Sequence, residues 1–113
     1  MANNSTEISY GFGQMGSILI TGTTNAVTSN GVTGMEKAVF VAITFLEDTV
    51  FDNAGLTAED SRMYPNDTTA GTGIDANGGA VTDGETFPMG VTIYGRWTSI
   101  LLDSGKVIAY IGY

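Results

Sequence analysis

The sequence predicts an all-β, single-domain protein, a β-sandwich or small barrel, and three observations carry that prediction. Apolar residues recur with the period of two that belongs to strands over residues 37–46 and again over residues 90–111. Glycine and threonine supply 16 residues each, whereas charged residues make up only 14% of the chain, so its polar surface is built from hydroxyls and bare backbone. A length of 113 residues suits one domain with one core.

Residues 1–16 are polar and then glycine-punctuated, with little to bury, and are expected to form an N-terminal arm ahead of a β domain over 17–113. The arm is expected to gain order on a neighbouring subunit, with Tyr10, Phe12 and Met15 as its candidate contacts. Ser17-Ile-Leu-Ile-Thr21 is the first β-like run. Residues 22–31 are dense in turn formers and end in Asn30-Gly31, a dipeptide suited to tight turns.

The strongest strand of the first half covers 37–46. Period-two alternation puts Val39, Val41, Ile43 and Phe45 on one face and Phe40, Ala42, Thr44 and Leu46 on the other, so the strand is central and apolar on both sides. Four β-branched residues among these eight argue against a helix. Residues 47–87 are acidic and show little periodicity. Thr57-Ala-Glu-Asp60 has the form of a helix N-cap followed by first-turn acids, and Pro65 would stop the turn or two it starts. A long acidic and glycine-rich loop follows at about 66–85.

The C-terminal segment regains its pattern in two β-rich runs, 90–102 and 106–111, joined by Asp103-Ser-Gly105. This predicts a C-terminal β-hairpin with Gly105 in the left-handed position of its loop. Gly95, inside the first run, predicts a bulge or a close approach. Ile100, Leu102, Val107 and Ile111 are expected to join Phe40, Val41, Ile43 and Phe45 in supplying the core.

Composition narrows the chemistry. The chain has neither cysteine nor histidine, so it lacks disulfides, thiolate metal ligands and the usual general base of Ser-His and Cys-His hydrolases. Twelve acids against four bases give a net charge of −8, which disfavours nucleic acid as a partner. No apolar run approaches 18 residues and the first residues lack a signal-peptide pattern, so neither a membrane span nor a secretion signal is expected.

The individual motifs are weak. Gly11-Phe-Gly-Gln-Met-Gly16 matches the GxGxxG dinucleotide fingerprint, but the β-like run that follows stands where the fingerprint needs a helix. Asp75, Asn77, Asp83 and Glu85 invite a calcium site, yet an EF-hand pattern started at Asp75 has Ala80 in place of its glycine and Thr86 in place of its glutamate. The acid pairs Glu47-Asp48 and Glu59-Asp60 are ordinary for an acidic surface, and the expectation is a protein that is not an enzyme and needs no cofactor. Tyr94, Arg96 and Trp97 bring together side chains favoured at interface hot spots, so they are candidate partner contacts, with half-buried core as the competing role for Trp97.

The stretch Thr86-Phe-Pro-Met-Gly-Val-Thr-Ile-Tyr-Gly-Arg-Trp-Thr-Ser-Ile-Leu-Leu-Asp-Ser-Gly-Lys-Val-Ile-Ala-Tyr-Ile-Gly112 resembles a segment of small virion proteins of tailed bacteriophages, marine ones in particular. The resemblance covers about a quarter of the chain, and more loosely residues 37–51. It implies a capsid decoration, or cement, protein that is made in the host cytoplasm and sits on the outside of the phage head. There it would bind the major capsid protein, bridge neighbouring subunits and form a homo-oligomer, a dimer or trimer. It carries no catalytic residues with it. A tail, fibre or other minor virion component is the first alternative, and a carbohydrate- or surface-binding β module the second.

Overall fold

A computed structural model describes residues 16–24, 26–29, 37–66, 73–75 and 79–112. Among them the regular structure is entirely β: β1 (Ser17–Thr21), β2 (Val27–Thr28), β3 (Val39–Phe45), β4 (Thr49–Ala58), β5 (Thr86–Phe87), β6 (Thr92–Ser104) and β7 (Lys106–Gly112). All pairings are antiparallel and form one sheet in the order β1-β7-β3-β6-β4-β5, with β2 also paired to β6. The all-β prediction holds, and β3 is a central strand with a partner on each edge.

The core face of β3 consists of Phe40, Ile43 and Phe45, each 0% exposed, which is not the alternation expected from period two. A register shift between Phe40 and Ala42 explains it. Two residues of β3 there oppose one step of β7, making Val41 the extra residue and moving Phe40 onto the Ile43 face. The same shift on the β6 side spans Tyr94 to Trp97 and contains Gly95, so the predicted irregularity at that glycine is present. A Cβ at position 95 would lie 2.8 Å from the Trp97 ring, which packs against this bare stretch of backbone.

The predicted C-terminal hairpin is not what forms. Gly105 has the expected positive φ of 101°, but β6 and β7 do not pair, because β3 lies between them. β6 begins beside the end of β3 (Thr44 opposite Thr92), runs along it to Trp97 and finishes against the start of β4 (Val50 opposite Ser104). It therefore coils back across the core, and from Gly105 the chain enters β7 on the free edge of β3. The corner is fixed by Thr49, fully buried, whose hydroxyl donates to the Glu47 carbonyl at 2.8 Å and accepts from the Lys106 N–H at 3.3 Å. Ile100, Leu102, Val107 and Ile111 are all buried in the one core cluster, as their spacing predicts.

β4 was hidden from the pattern. It buries Thr49, Phe51, Leu56 and Ala58, but Phe51 pairs with Leu102 and Leu56 with Ile100, so five steps on β4 oppose two on β6. Asp52 to Gly55 form the excursion, with Ala54 left-handed at φ 57°. Thr57 consequently belongs to this strand and caps no helix. One turn starts three residues later, where Asp60 caps it: its carboxylate accepts from the Arg62 N–H at 2.9 Å, and its carbonyl from Met63 and Tyr64.

At the β3–β4 end, Phe45, Phe51 and Phe87 form an aromatic cluster. Phe87 of the short β5 stacks on Phe45 with centroids 5.0 Å apart, and Phe51 meets both rings edge-on at 6.0 and 5.4 Å. This contact ties the end of the long loop to the core.

Candidate functional site

Among the described residues nine acids occur, Glu47, Asp48, Asp52, Glu59, Asp60, Asp75, Asp83, Glu85 and Asp103, and none lies in β1, β3, β7 or residues 92–95 of β6. Cross-strand register lines up the outward side chains of those four strands in two rows: Leu19, Ile108, Thr44 and Thr92, then Ser17, Tyr110, Ala42 and Tyr94. Leu19 is 53% and Tyr94 64% exposed. Ala42, flanked in register by the two tyrosines, is buried but lies outside the core cluster. The Thr44 and Thr92 hydroxyls share a 2.8 Å hydrogen bond, which satisfies one polar pair within the face. The result, among the described residues, is a sheet face whose strands carry no acid, half aromatic and aliphatic, on a strongly acidic protein; Lys106 of β7, in register with Thr21, stands at the end of this face with its ammonium 3.7 Å from the Glu47 carboxylate.

Of the sequence-predicted contacts, Tyr94 stands on this face and Arg96 at its border. The Arg96 guanidinium grips the Glu59 carboxylate through two bonds, Nε at 2.6 Å and Nη2 at 3.1 Å. This pairing holds the Glu59 carboxyl below its ordinary pKa, and it raises that of Arg96. Trp97 is 1% exposed, and its indole N–H donates to the Pro65 carbonyl at 2.9 Å. It is a core residue that anchors the loop after β4, so the surface contact assigned to it passes to Tyr94. Tyr10, Phe12 and Met15, with the arm that carries them, lie outside the described residues.

The acidic loop is brought to the core at several points. The buried Asn66 side chain accepts from the Ala58 N–H at 2.7 Å and its backbone carbonyl from the Thr82 N–H at 3.2 Å. Gly73 donates to Ser61, and Ile74 and Asp75 take left-handed φ values of 37° and 56°. Of the calcium candidates, Asp75 is engaged by Arg62 at 2.7 Å, Asp83 and Glu85 are exposed, and Asn77 lies outside the described residues. No cluster of three acids able to hold a metal occurs among the described residues. The GxGxxG glycines run directly into β1, a strand, so the helix N-terminus that would hold a pyrophosphate does not follow them.

The acid-free face has no separate sequence signature. It arises because Ser17, Leu19, Ala42, Thr44, Thr92, Tyr94, Ile108 and Tyr110 are brought together from four distant stretches, and only alternation along each strand foreshadows it. No family model, curated protein or solved structure matches this chain.

Proposed function

We propose that this protein is a non-enzymatic structural protein of a tailed-phage virion, a decoration protein that binds the outside of the head and bridges major capsid subunits. The likeness of residues 86–112 to small virion proteins suggests the class. The observation that carries the reading is the acid-free face of β1, β7, β3 and the start of β6. A module that docks in many copies on a lattice carries its own charge against every neighbour, and a face cleared of acids lets it bury apolar and aromatic area without that repulsion.

Tyr94 is the residue to test because it is exposed and its change spares the core. Tyr94→Lys should reduce the protein recovered with sedimented heads at least tenfold while leaving its melting temperature within a few degrees of the parent. A folded Tyr94→Lys protein that decorates heads normally would remove this face from the contact.

A further inference from the structure

The edge of the acid-free face has a pairing pattern of its own. Among the described residues β1 ends the sheet and pairs only with β7. Ile111 donates to the Gly16 carbonyl at 2.9 Å and Gly22 to the Gly105 carbonyl at 3.1 Å, so the even-numbered residues from 16 to 22 are those whose backbone groups bond to β7. The odd-numbered residues turn theirs outward. At Thr21 the outward groups are taken up locally, since its N–H donates to the Thr24 hydroxyl at 3.1 Å and its carbonyl accepts from the Thr24 N–H at 3.0 Å. Ser17 and Leu19 remain, with two N–H and two C=O groups facing away from the sheet and no partner among the described residues.

Natural edge strands are usually guarded by a charge, a proline or a bulge. Ser17-Ile-Leu-Ile-Thr21 has none of these, and the charge in β7 beside it is Lys106, opposite Thr21 at one end and ion-paired to Glu47 at 3.7 Å, which leaves Ser17 to Ile20 without a charged neighbour in either strand. We propose that this edge pairs with the same edge of a second copy, antiparallel about a two-fold axis at Ile18. That register is self-complementary. Ser17 of each copy faces Leu19 of the other, each such pair exchanges two backbone bonds, and the two half-buried Ile18 side chains meet in the close, non-bonded position between them. The edge itself specifies the second copy as occupant: its outward bonding groups at Ser17 and Leu19 match their own two-fold image, and an antiparallel copy brings no acid of β1 or β7 against another, the Lys106–Glu47 pair lying at the Thr21 end of the strand. Pairing would join two acid-free faces into one continuous sheet surface, and the short run of free backbone makes the association reversible.

The test uses the purified full chain without particles, so it stands apart from head binding. Sedimentation equilibrium should show a concentration-dependent rise from one chain mass towards two, strengthened by salt. Leu19→Pro removes only an outward-facing N–H, at an edge position where proline is tolerated, and should abolish the rise without unfolding the domain. Tyr94→Ser, three strands away, should leave it in place. A parent chain that stays monomeric at every concentration would overturn the proposal, as would dimers that survive Leu19→Pro but are lost with Tyr94→Ser, which would mean face-to-face packing. Dimerisation that appears only after deletion of residues 1–15 would show that the chain's own N-terminal segment occupies the edge, and would overturn it equally.

Discussion

Gly55 and Gly84 separate two reasons for a glycine. A Cβ at Gly55 would overlap the Leu101 carbonyl oxygen and lie 2.6 Å from that of Asp52, backbone atoms that cannot move without opening the β4 excursion. At Gly84 a Cβ meets nothing within 4 Å, and only the φ of 80° opposes it. Gly55→Ala should therefore destabilise by about 1–3 kcal/mol or more, as overpacking does, and Gly84→Ala by about 1 kcal/mol; thermal melts of the two variants check the order. Trp97→Ala combines a cavity with loss of the Pro65 bond and should cost about 3–5 kcal/mol in chemical denaturation, in keeping with its place in the core. Glu59 gives the pH dependence. Its folded pKa is depressed by Arg96, so its contribution is present above the ordinary glutamate pKa and is lost as pH falls through the depressed value. The pair is about a third exposed or more, so the effect is small, below about 1 kcal/mol. Glu59→Gln should melt slightly below the parent at pH 7, and the gap should close on acidification towards pH 3; a gap that widens there would contradict the pairing.

Elements were legible in the sequence where alternation runs unbroken. β7 and the second half of β6 follow their apolar spacing, and Ile100, Leu102, Val107 and Ile111 are the core residues that the pattern selects, whereas β1 was legible as a strand without its buried Ile20 being singled out. Legibility fails at each bulge, because one extra residue inverts the faces beyond it. Val41 does this in β3, so Phe40 joins Ile43 and Phe45 in the core, and Asp52 to Gly55 do it in β4, which leaves Phe51 and Leu56 five residues apart. The hairpin failed for a different reason. Loop chemistry around Gly105 fixed its φ correctly, but which strand lies beside β6 is decided by the coiling of β6 around the core, a long-range property that no local motif encodes. The Asp60 turn shows the local limit: Thr57 and Asp60 are both good caps, and strand pairing of Thr57 with Ser99 decides between them. Of the candidate site, Tyr94 and Arg96 were found from residue type alone, whereas Leu19, Ile108 and Tyr110 needed the register.

At the scale of the whole molecule, the absence of acids from β1, β7 and β3 sets how association responds to salt. Acids elsewhere repel at long range and are screened, while apolar contacts on the face are not weakened, so head binding should hold or strengthen between low and moderately high salt. Binding that collapses over the same range would mean that acidic side chains pair with capsid cations, and would move the contact to the 66–85 loop. Deletion of residues 1–15 should leave the domain folded, since Gly16 already supplies the last ladder bond of β1, from Ile111; loss of the cooperative melt would show that the core needs them. The most direct test of the decoration reading is the copy number of this protein in purified heads and purified tails, quantified against the major capsid protein in each fraction. The decoration role predicts recovery with heads at a number comparable to the capsid protein. A few copies confined to tails, or none in either fraction, would contradict it.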